Sequence, residues 1–162
     1  MNKTSGKQGA YAPIKQDASR IVISYGFKAV EGTDMAEWRE VVIYKKQASA
    51  LTLADVKEAI IGDINKRTDA KILSGLVWNG KPVWLSIENQ LNFTNATAPI
   101  TLKIGEQEDG TPVYHDFENS EQLTDFRTAC NNHKQAALAE GWLEKDGIDW
   151  TPYEALFPNA SE

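Results

Sequence analysis

The alternation of apolar and polar residues changes period along this chain, and each change marks a predicted element. Residues 21–30 (IVISYGFKAV) and 38–46 (WREVVIYKK) are rich in β-branched and aromatic residues, which is typical of strands. A Gly-Thr-Asp segment between them favours a turn, so we predict that the two strands pair as a hairpin. On the second strand we expect the inward side chains to be Trp38, Val41 or Val42, and Tyr44.

From Thr52 onward the apolar residues recur at helical spacing. The segment that begins at Thr52 and includes Asp55 resembles a capping box, which marks a helix start. The apolar stripe that follows consists of Val56, Ile60, Ile64 and Ile72. Gly75 stands where a residue with positive φ would end a helix, so we predict a helix over residues 53–73.

The segment after this helix predicts a tight hairpin, a short helix and a second hairpin. Asn79 and Gly80 both tolerate positive φ, and this pair is the strongest short signal for a type I′ turn. Ser86 is placed to cap a short helix that begins at Ile87. Residues 100–117 then have the pattern of two strands joined by a polar loop.

The carboxyl-terminal part of the chain predicts one long helix and a docked tail. The helix begins at Asn119 or Ser120, and we expect it to stop at Gly141. Its predicted apolar face comprises Leu123, Phe126, Cys130, Ala137 and Leu138. We expect the tail to dock as far as Phe157.

These elements predict an α+β fold in which a small, mostly antiparallel sheet with hairpins packs against the two longer helices. Residues 1–19 contain few large apolar side chains, so we expect a flexible amino-terminal arm. The arm would either order on a partner or be an ordinary loose terminus. We predict a single domain over residues 20–157 and a frayed carboxyl terminus over residues 158–162.

Composition and charge indicate which classes of partner, nucleic acid or membrane, are disfavoured. The 17 basic and 23 acidic residues give a net charge of -6, which disfavours attraction to nucleic-acid phosphates and to anionic membranes. No apolar run approaches the roughly 20 residues needed to cross a bilayer. The single cysteine cannot form an internal disulfide. We therefore expect neither a nucleic-acid nor a membrane partner.

Few residues of this sequence have the type and spacing that catalysis or metal binding requires. Cys130 and His133 lie three positions apart and could meet on one helical turn as a thiol and imidazole pair or as two metal ligands. Two ligands do not complete a zinc site, and the glycines form neither a Walker-type loop nor a dinucleotide fingerprint. The acidic residues show no spacing that pairs them for acid and base catalysis. We therefore predict no catalytic residues, no metal, no cofactor and no enzymatic activity.

Trp78 and Trp84 are the candidate binding residues. Two tryptophans on a hairpin could form a flat platform for a sugar or a peptide. The alternative is that they fill a small core. A two-residue turn pairs Trp78 with Lys81, so Trp84 need not share a face with Trp78. The sequence leaves both interpretations open.

The run over residues 56–93 resembles a phage-associated domain of unknown function, found in tail-fibre assembly-type proteins and in prophage proteins of gut Bacteroidetes. The positions that carry this resemblance are Ile72, Gly75, Trp78, Gly80, Trp84, Leu85, Ser86, Gln90 and Asn92. The closing helix is also similar to that of the family, through Phe126, His133 and Gly141. The resemblance spans roughly residues 38–150, and no catalytic residues transfer with it.

The resemblance implies a phage or prophage setting and a tail-associated structural or adaptor role, with other tail or virion proteins as partners. The chain would then reside in the host cytoplasm during assembly and in the virion afterwards. Two alternatives stay open, namely a tail-fibre assembly chaperone that leaves the particle and a glycan-binding module that uses the aromatic hairpin. Self-association into a homo-oligomer also stays open.

Overall fold

The computed structural model describes residues 3–16, 19–44 and 51–158. It confirms the α+β fold, with antiparallel strands and helices that contribute to two separate cores. The chain divides into two compact units. The first unit combines Met1–Lys66 with Leu143–Glu162, and the second is Arg67–Trp142.

The first unit is built on a four-stranded antiparallel sheet in the order β1-β4-β3-β2. Its strands are β1 (Thr4–Lys7), β2 (Ile14–Gln16), β3 (Arg20–Ala29) and β4 (Met35–Tyr44). β3 and β4 form the predicted hairpin, with a bulge between Tyr25 and Lys28 where Gly26 adopts a φ of 66°. The long hairpin is thus the centre of the sheet, and the two short strands flank it.

The first two strands lie inside the region expected to be a flexible arm. β1 pairs with β4, and β2 pairs with β3, so both are edge strands of the sheet. Main-chain pairing orders this segment although it carries few large apolar side chains, because the β hairpin supplies a template of backbone donors and acceptors. Residues 1–2 and 17–18, which also belong to the expected arm, lie outside the described residues, as do residues 159–162 of the predicted frayed terminus.

One face of this sheet packs against α1 (Leu53–Leu73), whose limits match the predicted helix. The Thr52 amide and hydroxyl donate to the Asp55 carboxylate, and the Asp55 amide donates back to Thr52 Oγ1, which confirms the predicted cap. The buried residues of this core are Ile21, Ile23, Tyr25, Val56, Ile60, Ile64 and Tyr153. Tyr153 belongs to the short α4 (Thr151–Glu154), so the tail docks as expected.

The second unit contains two hairpins and two helices. Its elements are β5 (Leu76–Trp78), β6 (Lys81–Val83), α2 (Ile87–Asn95), β7 (Ile100–Glu106), β8 (Pro112–Phe117) and α3 (Ser120–Asp146). Asn79 and Gly80 have φ values of 49° and 73°, which confirms the type I′ turn. The Ser86 hydroxyl accepts from the Asn89 amide and caps α2 as predicted.

The two hairpins of this unit approach each other through their backbones. The Trp84 amide donates to the Ile104 carbonyl at 2.9 Å. A Cβ at position 105 would overlap the Pro82 carbonyl, so only glycine fits this approach. The core beneath the hairpins comprises Val83, Leu85, Phe93, Ile104, Val113, Phe117, Leu123, Phe126 and Cys130, so α3 covers this unit.

The predicted stop of the last helix at Gly141 is wrong, because α3 continues to Asp146. Gly141 is buried inside the helix, and a Cβ there would overlap Thr68 Oγ1 of α1. The glycine therefore permits close packing of two helices. Gly147 follows α3 directly, and its amide donates to the Leu143 carbonyl.

Candidate functional site

The outer side of β4 is only partly covered by a described strand of the first unit. β4 is ten residues long, but β1 pairs only with its first part, from Met35 to Trp38. On its other side β4 pairs with β3 over most of its length. Among the described residues no strand pairs with the outer side of residues 39–44. We call this segment the open edge.

The strand register identifies which backbone groups of the open edge point outward. Ser24 faces Glu40 across the β3 and β4 pair, yet its amide donates to Pro13 on the opposite side. Ser24 and Glu40 therefore form a non-hydrogen-bonded pair, and Glu40 directs its own N–H and C=O away from β3. By the two-residue alternation of a strand, Val42 and Tyr44 do the same.

Four of the six side chains of the open edge are apolar, and Tyr44 is the exposed one among them. Val41, Val42 and Ile43 are half-buried, and Tyr44 is 74% exposed. Glu40 is already engaged, because its carboxylate accepts from Trp38 Nε1 at 3.0 Å and lies 4.0 Å from Lys15 Nζ. Tyr44, which was expected to point inward, therefore lies at the surface, whereas Trp38 is buried as predicted.

Trp78 takes the packing role that the sequence left open. Its ring lies 4.9 Å from His115, 5.0 Å from Phe126 and 6.0 Å from Phe117, measured between ring centroids. It is half-buried against the core of the second unit. The predicted pairing of Trp78 with Lys81 is confirmed.

Trp84 has different surroundings and is 42% exposed. In this register Trp78 and Val83 share one face of the β5 and β6 hairpin, so Trp84 and Val77 share the other. Val77 is 73% exposed. The two tryptophans therefore form no joint platform, and the outer face of the hairpin presents Trp84 beside an aliphatic neighbour.

Cys130 and His133 have different surroundings, since Cys130 is buried and His133 contacts the backbone of α1. His133 donates from Nε2 to the Lys71 carbonyl at 3.0 Å. Burial raises the pKa of the Cys130 thiol to about 11, with Lys134 opposing the shift, so the thiolate is scarce at neutral pH. In the described part of the chain, no group of three or more potential metal ligands is brought together.

The remaining histidine contacts a cation. Lys81 Nζ donates to His115 Nδ1 and to the Tyr114 carbonyl, both at 3.1 Å. Burial lowers the pKa of His115, and the positive charge of Lys81 lowers it further. Asp116 accepts from the Thr101 hydroxyl at 2.6 Å on the exposed side of the same hairpin. These contacts bind the strands of the hairpins to one another.

The sequence did not single out the open edge, although its signal is visible there. Residues 41–44 read Val-Val-Ile-Tyr, an apolar run of the kind that makes an edge strand prone to pairing, although the charged Arg39 and Glu40 precede it. Which strand lies beside this run depends on pairing with distant residues, so the run alone does not reveal an edge.

None of the helices in the described residues is long and apolar enough to cross a membrane. No protein-family model, curated protein or solved structure matches this chain.

Proposed function

We propose that this chain is a non-enzymatic structural or adaptor protein of a phage or prophage tail, which holds a partner protein through the open edge. The observation that carries the proposal is that Val42 and Tyr44 direct backbone donors and acceptors outward without a described strand beside them. Strand addition uses such groups for affinity and the alternating side chains for specificity. The phage setting rests on the resemblance of residues 56–93.

The chemistry of the open edge favours an extended segment with β-branched or aromatic side chains as the partner. Strands exposed at an edge commonly carry charges or proline, which disfavour association. On the open edge, Val42 and Tyr44 offer apolar surface on one face of the strand, whereas Val41 and Ile43 on the other face pack against the buried core. A partner strand there would lie in line with β1, since Thr4, the first residue of β1, is opposite Trp38.

A matched pair of variants tests the proposal. Val42→Pro removes the outward N–H at the centre of the open edge, and an edge position tolerates proline because its N–H is not part of the inner ladder. Val42→Thr keeps both the N–H and the β-branched shape. We expect both variants to fold, as judged by circular dichroism.

The measurement is quantitative mass spectrometry of purified particles made with each variant as the only copy. We expect the wild-type chain and Val42→Thr in the particles and at least tenfold less Val42→Pro, since losing roughly 1.4 kcal/mol of binding corresponds to a factor of ten. Equal incorporation of the two variants would exclude the open edge as the contact. A chain present in infected lysate but absent from particles would contradict the structural role and favour the assembly chaperone.

A second candidate function is glycan binding at Trp84, which its exposure beside Val77 favours. The test is a glycan array with wild type, Trp84→Ala and Trp142→Ala. Trp142 is also exposed and serves as the matched control. Glycan binding requires a signal that is lost only in Trp84→Ala, and an empty array or unchanged binding in that variant removes this function.

A further inference from the structure

A groove of about 330 Å³ lies between α2 and α3 in the second unit. α3 lines it with Arg127, Cys130, Asn131 and Lys134. These positions follow the spacing of a single helix face. Its volume is near the lower end of the roughly 300–1,000 Å³ typical of ligand sites, so any ligand would be small.

The charged side chains of this groove are both cationic. Arg127 and Lys134 line it, whereas none of its lining residues is acidic. This local excess of positive charge stands in a chain with a net charge of -6. An anion would therefore find a favourable local field in a surface that otherwise repels it.

Arg127 is held in a fixed position by the end of α2. Its Nε donates to the Phe93 carbonyl at 2.7 Å, and its Nη2 donates to the carbonyls of Thr94 and Ala96 at 2.9 and 2.6 Å. Nη1 makes no hydrogen bond to the described residues. The guanidinium is thus preorganised with donor capacity left over, which reduces the entropy cost of binding a ligand.

Lys134 supplies the second cation. Its ammonium forms no ion pair with any residue that the structure describes, and its charge acts on the Cys130 thiol. The floor between the two cations is apolar, since Leu85, Phe93 and Cys130 are all buried. The groove therefore joins a hydrophobic base to two cationic groups.

We propose that this groove binds a small organic carboxylate, whose anionic group contacts Lys134 and Arg127 while its apolar body lies against Phe93 and Leu85. The cations select negative charge, and the buried floor selects a ligand with an apolar body over a bare inorganic anion. The proposal is independent of the open edge, because it concerns only the second unit.

The test is a titration of the protein with benzoate, followed by amide chemical shifts in two-dimensional NMR. Benzamide, which has nearly the same shape without the charge, is the matched ligand control. Acetate tests the charge without the apolar ring. We expect benzoate to shift resonances of residues 85–94 and 127–134, benzamide to shift them far less, and acetate to require higher concentrations.

Lys134→Gln is the informative variant, because it removes a cation that forms no ion pair with a described residue. We expect it to weaken benzoate binding by about tenfold, as one charge-assisted hydrogen bond is lost. Lys66→Gln, at an exposed position of α1, is the control for net charge and should leave binding unchanged. Absence of benzoate shifts, equal shifts with benzamide, or unchanged affinity in Lys134→Gln would each overturn the proposal.

Discussion

Replacing two helical glycines by alanine separates packing from intrinsic helix propensity. Gly62 lies inside α1 and Gly141 inside α3, and neither has a positive φ. A Cβ at position 62 would meet nothing within 4 Å. A Cβ at position 141 would overlap Thr68 Oγ1 and come to 3.4 Å from both Cβ and Cγ2 of Thr68. The two substitutions are chemically identical and differ only in their surroundings.

The expected energies follow from these surroundings. Alanine is favoured over glycine in a helix interior by about 1 kcal/mol, so Gly62→Ala should raise the free energy of unfolding by about that amount. Gly141→Ala gains the same propensity but overpacks the contact with Thr68, at a cost of about 1–3 kcal/mol. Its net effect should lie between no change and a loss of about 2 kcal/mol.

Urea denaturation followed by far-UV circular dichroism measures both variants. Thr68→Ala removes the overlapping hydroxyl, so Gly141→Ala should become stabilising in that background, as a double-mutant cycle would show. If Gly141→Ala stabilises wild type as much as Gly62→Ala does, the close approach of α1 and α3 at Gly141 is refuted.

Three further predictions concern buried polar and ionisable groups. The Ser24 hydroxyl is fully buried without a hydrogen-bond partner among the described residues. Ser24→Ala should therefore stabilise the protein by roughly 1 kcal/mol, and a lower melting temperature of the variant would contradict this prediction. Because the pKa of His115 is lowered in the folded state, the unfolded state binds a proton more readily, and stability should fall as the pH drops below about 6.5. His115→Gln should show a smaller fall over the same range, and an equal fall would assign it to other groups. Burial raises the pKa of the Cys130 thiol from 9.0 to about 11, which lowers its thiolate fraction at neutral pH about a hundredfold. A thiol-specific disulfide reagent should therefore react far more slowly with the native than with the unfolded protein.

Local signals in the sequence predicted much of the fold correctly. Thr52, Asn79 with Gly80, and Ser86 each act through hydrogen bonds or φ values within a few residues, and the structure contains the cap, the turn and the second cap at those positions. The limits of α1 were predictable for the same reason. Local chemistry determines such features regardless of the distant chain.

The sequence did not predict the features that depend on residues distant in the chain. Gly141 looked like a helix stop, because its contact with Thr68 is invisible in the local sequence. The pairing of β1 and β2 with the hairpin was missed, since backbone hydrogen bonds leave no apolar pattern in residues 4–16. The candidate sites show the same division: residue type alone suggests Trp78 and Trp84 as candidates, whereas the open edge emerges only from the register of β4.

Amide hydrogen exchange along β4 tests the open edge most directly. In the free protein, the amides of Val42 and Tyr44 should exchange at least tenfold faster than those of Val41 and Ile43, which face β3 in hydrogen-bonded pairs. In purified particles, the Val42 and Tyr44 amides should become protected by the partner strand. Slow exchange of both amides in the free protein, or unchanged fast exchange in particles, would contradict strand addition at this edge.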